Sequence, residues 1–253
     1  MLKINADKCK LIITCKPSLR HLSSNITLKP QHYVIKQTNK VKILGVFILS
    51  DLSQAANVNR IKSRVHYRLH TLKDIFTYTA FDTRLMLANS LIVSTIVYAL
   101  PIMITCTQKQ IQTLHTLLMR VAKTVNGKSC FKWPTLKVLD SCNWLSLSQL
   151  VMFESVKYIH NIVYENQPPA ITSLLRFNMV RCHVSRYNRR PETIYTPTSE
   201  KVRNSLLYLS IYLYNHLPDN FRTMNTQDFA DAAKIHFRQH FDRSHILKNG
   251  GFS

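Results

Sequence analysis

An α+β chain, predominantly α-helical, is predicted, and three observations predict it. Short β-prone runs, Leu11 to Ile13 and Val41 to Leu49, fall within the first 50 residues. Beyond residue 57 the apolar residues recur at three- and four-residue intervals, the period of a helix face. The 253 residues, 45% of them hydrophobic, suffice to bury a core.

In chain order, residues 2 to 16 read as an extended segment after a polar turn at Asn5-Ala6-Asp7. A weak strand, a turn near Lys29-Pro30 and a second strand from Val41 to Leu49 follow, and the β content stops at about residue 50. Gly45, one of only four glycines, interrupts the second strand and suggests a bulge or a close backbone approach. From Asn57 to Phe76, Val58, Ile61, Val65, Leu69, Leu72 and Phe76 mark one side of a helix. Asp82 is the expected N-cap of a buried, charge-free helix ending near Pro101. Its core LMLANSLIVSTIVYALPIMI is about long enough to cross a bilayer, so a membrane span over 85–104 is the alternative. Asn89, Ser90, Ser94, Thr95 and Pro101 favour burial in protein, and no membrane is the preferred reading.

Gln108 to Val125 forms an amphipathic pattern, with Ile111, Leu114, Leu117, Leu118, Val121, Ala122 and Val125 on one side. Asn126-Gly127-Lys128 ends it. A short helical turn lies between Trp133 and Trp144, and Ser146 with Gln149 makes a capping-box signature for a helix to about Glu165, closed by Asn166 to Pro169. Arg176 to Arg203 is basic and weakly periodic, as an exposed loop would be. An apolar segment then runs to Leu217-Pro218, and Asn225 caps a last helix along which Phe229, Ala233, Phe237 and Phe241 stack.

The 34 Lys+Arg against 13 Asp+Glu give a net charge of +21, an imbalance that favours a polyanionic partner. Arg60, Arg64 and Arg68 form a stripe repeating about every 6 Å along the first helix, a spacing suited to a phosphate chain. Lys109, Arg120 and Lys123 make a second basic face. Arg181, Arg186, Arg189 and Arg190 lie near Tyr187 and Tyr195, a mixture that pairs with phosphates and stacks on bases. RNA and DNA are the expected partners, through sequence-independent backbone contacts; a solvated basic face is the alternative for each group.

Catalytic and metal signatures are weaker. Two-metal nucleotidyl transfer needs carboxylates gathered around ions about 3.5 to 4 Å apart. Here Asp7, Asp51, Asp74, Asp82, Asp140 and Glu154 are scattered, without an Asp-Asp or Asp-x-Asp pair. Glycines at 45, 127, 250 and 251 cannot build a phosphate-cradling loop. His236 and His240 share a helix face but lack a third ligand at motif spacing, and Cys182-His183 and Cys130 with Cys142 are no better, so no metal site and no cofactor are expected in the chain. The six cysteines contain no CxxC pair and read as reduced thiols, and MLKINADKCK has no apolar signal core, so the expected compartment is nuclear and cytoplasmic, not secreted.

Several segments resemble, in order, the C-terminal portion of a non-LTR (LINE-type) retrotransposon reverse transcriptase. LKINADKCKLIIT looks like the segment after that family's catalytic Tyr-x-Asp-Asp turn, and KILGVFILSDLS like its Lys-x-Leu-Gly-Val strand. WLSLSQLVMFESVKYIHNIVY is similar to its Trp-Leu-Pro helix, and IYLYNHLPDNFRTMNTQDFADAAKIHF to its Leu-Trp-Asn-x-Leu-Pro segment and terminal helix. The resemblance implies a palm remnant over 1–50, a thumb-like helical region over 51–125 and a C-terminal helical domain over 126–253. It places Lys8 near the incoming nucleotide, on a turn braced by Asn5, and Leu44, Gly45 and Val46 near the primer end. Trp144, Asn215, Leu217, Pro218 and Arg222 match positions that serve packing. Leu49 stands where relatives carry Asp, Cys9 where Thr is usual, and Tyr214 where Trp is usual. The family's catalytic aspartates are expected upstream of Met1, so Mg2+ is expected only for the full-length polymerase and no polymerisation from this chain alone. The missing upstream polymerase region is a further expected partner, and a structural remnant without a ligand is the alternative.

Overall fold

The structure is a computed structural model that describes residues 9–14, 27–28, 35–127, 132–165, 168–179 and 206–240. It is predominantly helical, with two small antiparallel sheets among the described residues. Contacts divide the chain into two compact units, 1–64 and 65–253.

In the first unit β1 (Thr27–Leu28) pairs with β2 (Ile35–Lys36), and β3 (Lys40–Ile43) pairs with β4 (Val46–Leu49). Leu11 lies beside Gln37 in an isolated parallel bridge, and its carbonyl accepts from the Thr38 N–H at 2.8 Å. The stretch expected to be one strand interrupted at Gly45 is a hairpin instead. Ile43 faces Val46 across a two-residue turn whose residues, Leu44 (φ 47°) and Gly45 (φ 84°), are both left-handed. Two-residue turns with positive φ at both positions match the twist of paired strands, which is why a glycine is needed there rather than at a bulge. The outer edge of β4 is closed by Asn57. Its Oδ1 accepts from the Phe47 N–H at 2.8 Å and its Nδ2 donates to the Phe47 carbonyl at 2.7 Å.

Helix α1 (Ala55–Tyr78) begins in the first unit and continues into the second. Its six sequence-marked apolar residues, Val58 through Phe76, are all buried.

The second unit is helical. The charge-free segment is broken, where a single helix was expected. It runs as α2 (Phe81–Leu87), a π-helical stretch (Ala88–Val93), α3 (Ser94–Val97) and, after left-handed Ala99, a 3-10 helix (Leu100–Thr105). Ala80, not Asp82, occupies the N-cap, and Asp82 lies in the first turn. A π-helix winds more slowly than an α-helix, so residues four apart stay near one face. Ala88, Ile92, Ile96 and Leu100 are accordingly buried, while Met86, Asn89, Ser90 and Tyr98 are exposed. Among the described residues no helix is long and apolar enough to cross a membrane.

Helix α4 (Gln108–Asn126) opens on a capping box between Thr107 and Gln110 and stops at Gly127 (φ 83°). After α5 (Thr135–Ser141), Ser146 and Gln149 cap α6 (Leu147–Glu165) as their spacing predicted. α7 (Pro169–Met179) follows, so residues 176–179 are helical where a loop was expected. The remaining elements are α8 (Leu206–Asn215), a 3-10 turn (Asp219–Thr223) and α9 (Thr226–His240), with Asn225 Oδ1 accepting from the N–H groups of Gln227 and Asp228. Helix α6 is the spine of this part, packed by α8, α9 and the 3-10 helix at Leu100. Met152, Val156 and Ile159 of α6 meet Ile211, Tyr214, Phe229 and Phe237 in one core.

Candidate nucleic-acid interface

Within the second unit a cleft of about 590 Å³ opens between α1 and α4. Its basic lining comes from His66, His70 and Lys73 on one helix and Arg120 and Lys123 on the other. Leu69 and Met119, each 9% exposed, form an apolar floor, and Thr116 and Thr124 complete the α4 wall. Both walls use helical spacing. Positions 66, 69, 70 and 73 on α1, and 116, 119, 120, 123 and 124 on α4, each fall on one face at about 100° per residue. Among the described residues no Asp or Glu lines the cleft.

A polar contact joins the walls. Arg120 Nη1 lies 3.3 Å from His66 Nε2. A guanidinium only donates, so in this hydrogen bond His66 accepts on Nε2. The Thr116 and Thr124 hydroxyls donate to the Gln112 and Arg120 carbonyls at 2.9 Å, so their protons are committed to the helix.

Within the second unit the predicted basic residues take different places. Arg120 and Lys123 line the cleft, whereas Lys109 sits in the first turn of α4, about 16 Å along the axis from Arg120. The arginine stripe of α1 is divided in use. Arg68 donates to the Leu91 carbonyl and the Thr95 hydroxyl, so its guanidinium braces the π-helical stretch instead of facing a ligand. In the first unit Arg64 is exposed and Arg60 lies 5.8 Å from the Phe47 ring centre. Lys40 sits 3.8 Å above the same ring. Leu44, Gly45 and Val46 form the end of the β3–β4 hairpin, with Leu44 85% exposed. Lys8 and the group Arg181, Arg186, Arg189 and Arg190 lie outside the described residues.

His66, His70 and Lys73 were missed by the sequence reading, although a signal existed. At 100° per residue they form a row on the flank of the buried stripe opposite Arg60, Arg64 and Arg68. Both flanks are basic, and nothing local says which one meets a neighbouring helix. Three of the positions matched to the resemblance in the C-terminal part make internal contacts. Trp144 is buried with its Nε1 donating to Asn89 Oδ1 at 2.9 Å, Leu217 is buried, and Arg222 donates to the Asn215 carbonyl at 3.1 Å. His236 packs edge-on against Phe221, 5.5 Å between ring centres.

Comparison with protein-family models, with curated proteins and with solved structures finds no match.

Proposed function

We propose that this chain is a nucleic-acid-binding part of a non-LTR retrotransposon reverse transcriptase, which holds RNA or DNA by backbone phosphates and does not polymerise alone. The cleft between α1 and α4 is the observation that carries the binding. Five basic side chains converge there, with no lining carboxylate among the described residues, on a chain of net charge +21. The lineage rests on the ordered motifs, and it reads residues 1–50 as palm edge, 51–125 as thumb and 126–253 as the C-terminal helical domain. The exposed hairpin end at Leu44 suits the primer-proximal role that the resemblance gives it. Mg2+ belongs, on this reading, to the aspartates of the full-length polymerase, since no Asp-Asp pair occurs in the 253 residues.

Filter binding of labelled RNA and DNA across a salt series tests the proposal. Affinity should fall by orders of magnitude between about 50 and 200 mM salt. Replacing both Arg120→Gln and Lys123→Gln should weaken every sequence alike and lower the salt slope by about 1 to 2. Salt-independent binding, or a double variant indistinguishable from the parent, would refute the cleft as the site. Primer extension with magnesium or manganese should stay at background.

A further inference from the structure

The α1–α4 cleft is more than a basic surface, because its floor is apolar. Leu69 and Met119 lie at its base between the basic walls. Phosphates alone would leave that floor unmatched. A duplex presents its backbone and the edges of stacked bases, and offers the cleft no free base face. A single strand offers both chemistries at once, a planar apolar base and a phosphate on either side of it. The volume, about 590 Å³, lies within the range of pockets that take a small organic ligand.

We propose that the cleft seats one unstacked nucleotide of a single strand and thereby selects single-stranded over duplex nucleic acid. The inference rests on the nucleic-acid reading above and adds the form of the ligand. The base lies against Leu69 and Met119, and the flanking phosphates meet Arg120 and Lys123 on one wall and His70 and Lys73 on the other. Tyr67, 75% exposed and next to His66 in sequence, offers a face for a neighbouring base on the outer side of α1.

Fluorescence anisotropy on the full chain would decide it, with a short labelled single strand, the same strand with abasic sites, and the matching duplex, each across a salt series. The intact strand should bind about tenfold more tightly than the other two, which should bind alike. Thr116→Trp fills the cleft from an exposed helix position without changing charge. It should bring the affinity for the intact strand down to that for the abasic strand, and a preference of about tenfold that survives in this variant would overturn the inference. Equal affinity for strand and duplex, or an abasic strand bound as tightly as the intact one, would overturn the inference while salt-dependent binding kept the broader reading alive. Adenosine monophosphate bound as tightly as the strand would overturn it too, by making a free nucleotide the ligand. Loss of all salt-dependent binding would remove both.

Discussion

At Asn57 one side-chain amide does the work of a neighbouring strand. Phe47 sits opposite Lys42, and its backbone N–H and carbonyl both engage Asn57, itself 2% exposed and held by Gln54 Oε1 at 2.9 Å. Asn57→Ala leaves both backbone groups without that partner and should lower stability by about 2 kcal/mol, read from the urea midpoint. In the second unit His160 is buried face to face with Phe229, 3.7 Å between ring centres, and its Nδ1 lies 3.3 Å from the Tyr214 hydroxyl. The tyrosine that stands where the resemblance expects Trp thus supplies the histidine with a polar neighbour. Burial pushes the His160 imidazole below its ordinary range, with the Met224 backbone opposing in part. The unfolded chain therefore takes up this proton first. The stability contributed by neutral His160 is fully present above the ordinary value of about 6.5 and is lost as the pH falls below it toward the folded value. Melting temperature measured between pH 8 and pH 5, about the span of the histidine titration, should fall less in His160→Phe than in the parent.

Among the elements, the β3–β4 hairpin holds the clearest strain. Leu44 takes φ 47° with its side chain 85% exposed, a conformation that glycine and asparagine adopt at lower cost. Leu44→Asn should raise the urea midpoint by the equivalent of about 1 kcal/mol, and a lower midpoint would show that the leucine has a packing role in the first unit. The buried faces of α1 and α4 were legible from period alone, because apolar side chains three and four apart define a stripe whatever they later meet. The break in the charge-free segment was not legible, since in so apolar a run a single turn of π or 3-10 helix leaves no mark in the pattern and differs only in which carbonyl each N–H finds. Helix α7 was missed because Pro169 was read as a stop, although proline also suits the first turn of a helix. The hairpin was hidden for a similar reason, as Gly45 fits a bulge or a turn until the pairing of Ile43 with Val46 decides between them.

For the whole molecule, a charge of +21 means self-repulsion that mobile ions reduce. Melting temperature should therefore rise with salt, and a short RNA should raise it further at low salt by mass action, an increment that vanishes as salt rises. An RNA increment unchanged at high salt would contradict charge-driven binding. Composition and period by themselves determined the basic character, the early end of the strands among the described residues and the buried sides of α1 and α4, because those properties depend on residues within a few turns of one another. Which basic residues face a ligand was decided only by tertiary structure. Arg68 and His66 lie on opposite flanks of one helix, and their roles depend on Leu91 and Thr95 for the first and on Arg120 for the second. Those partners are 23, 27 and 54 residues away along the chain, beyond the reach of any helical period.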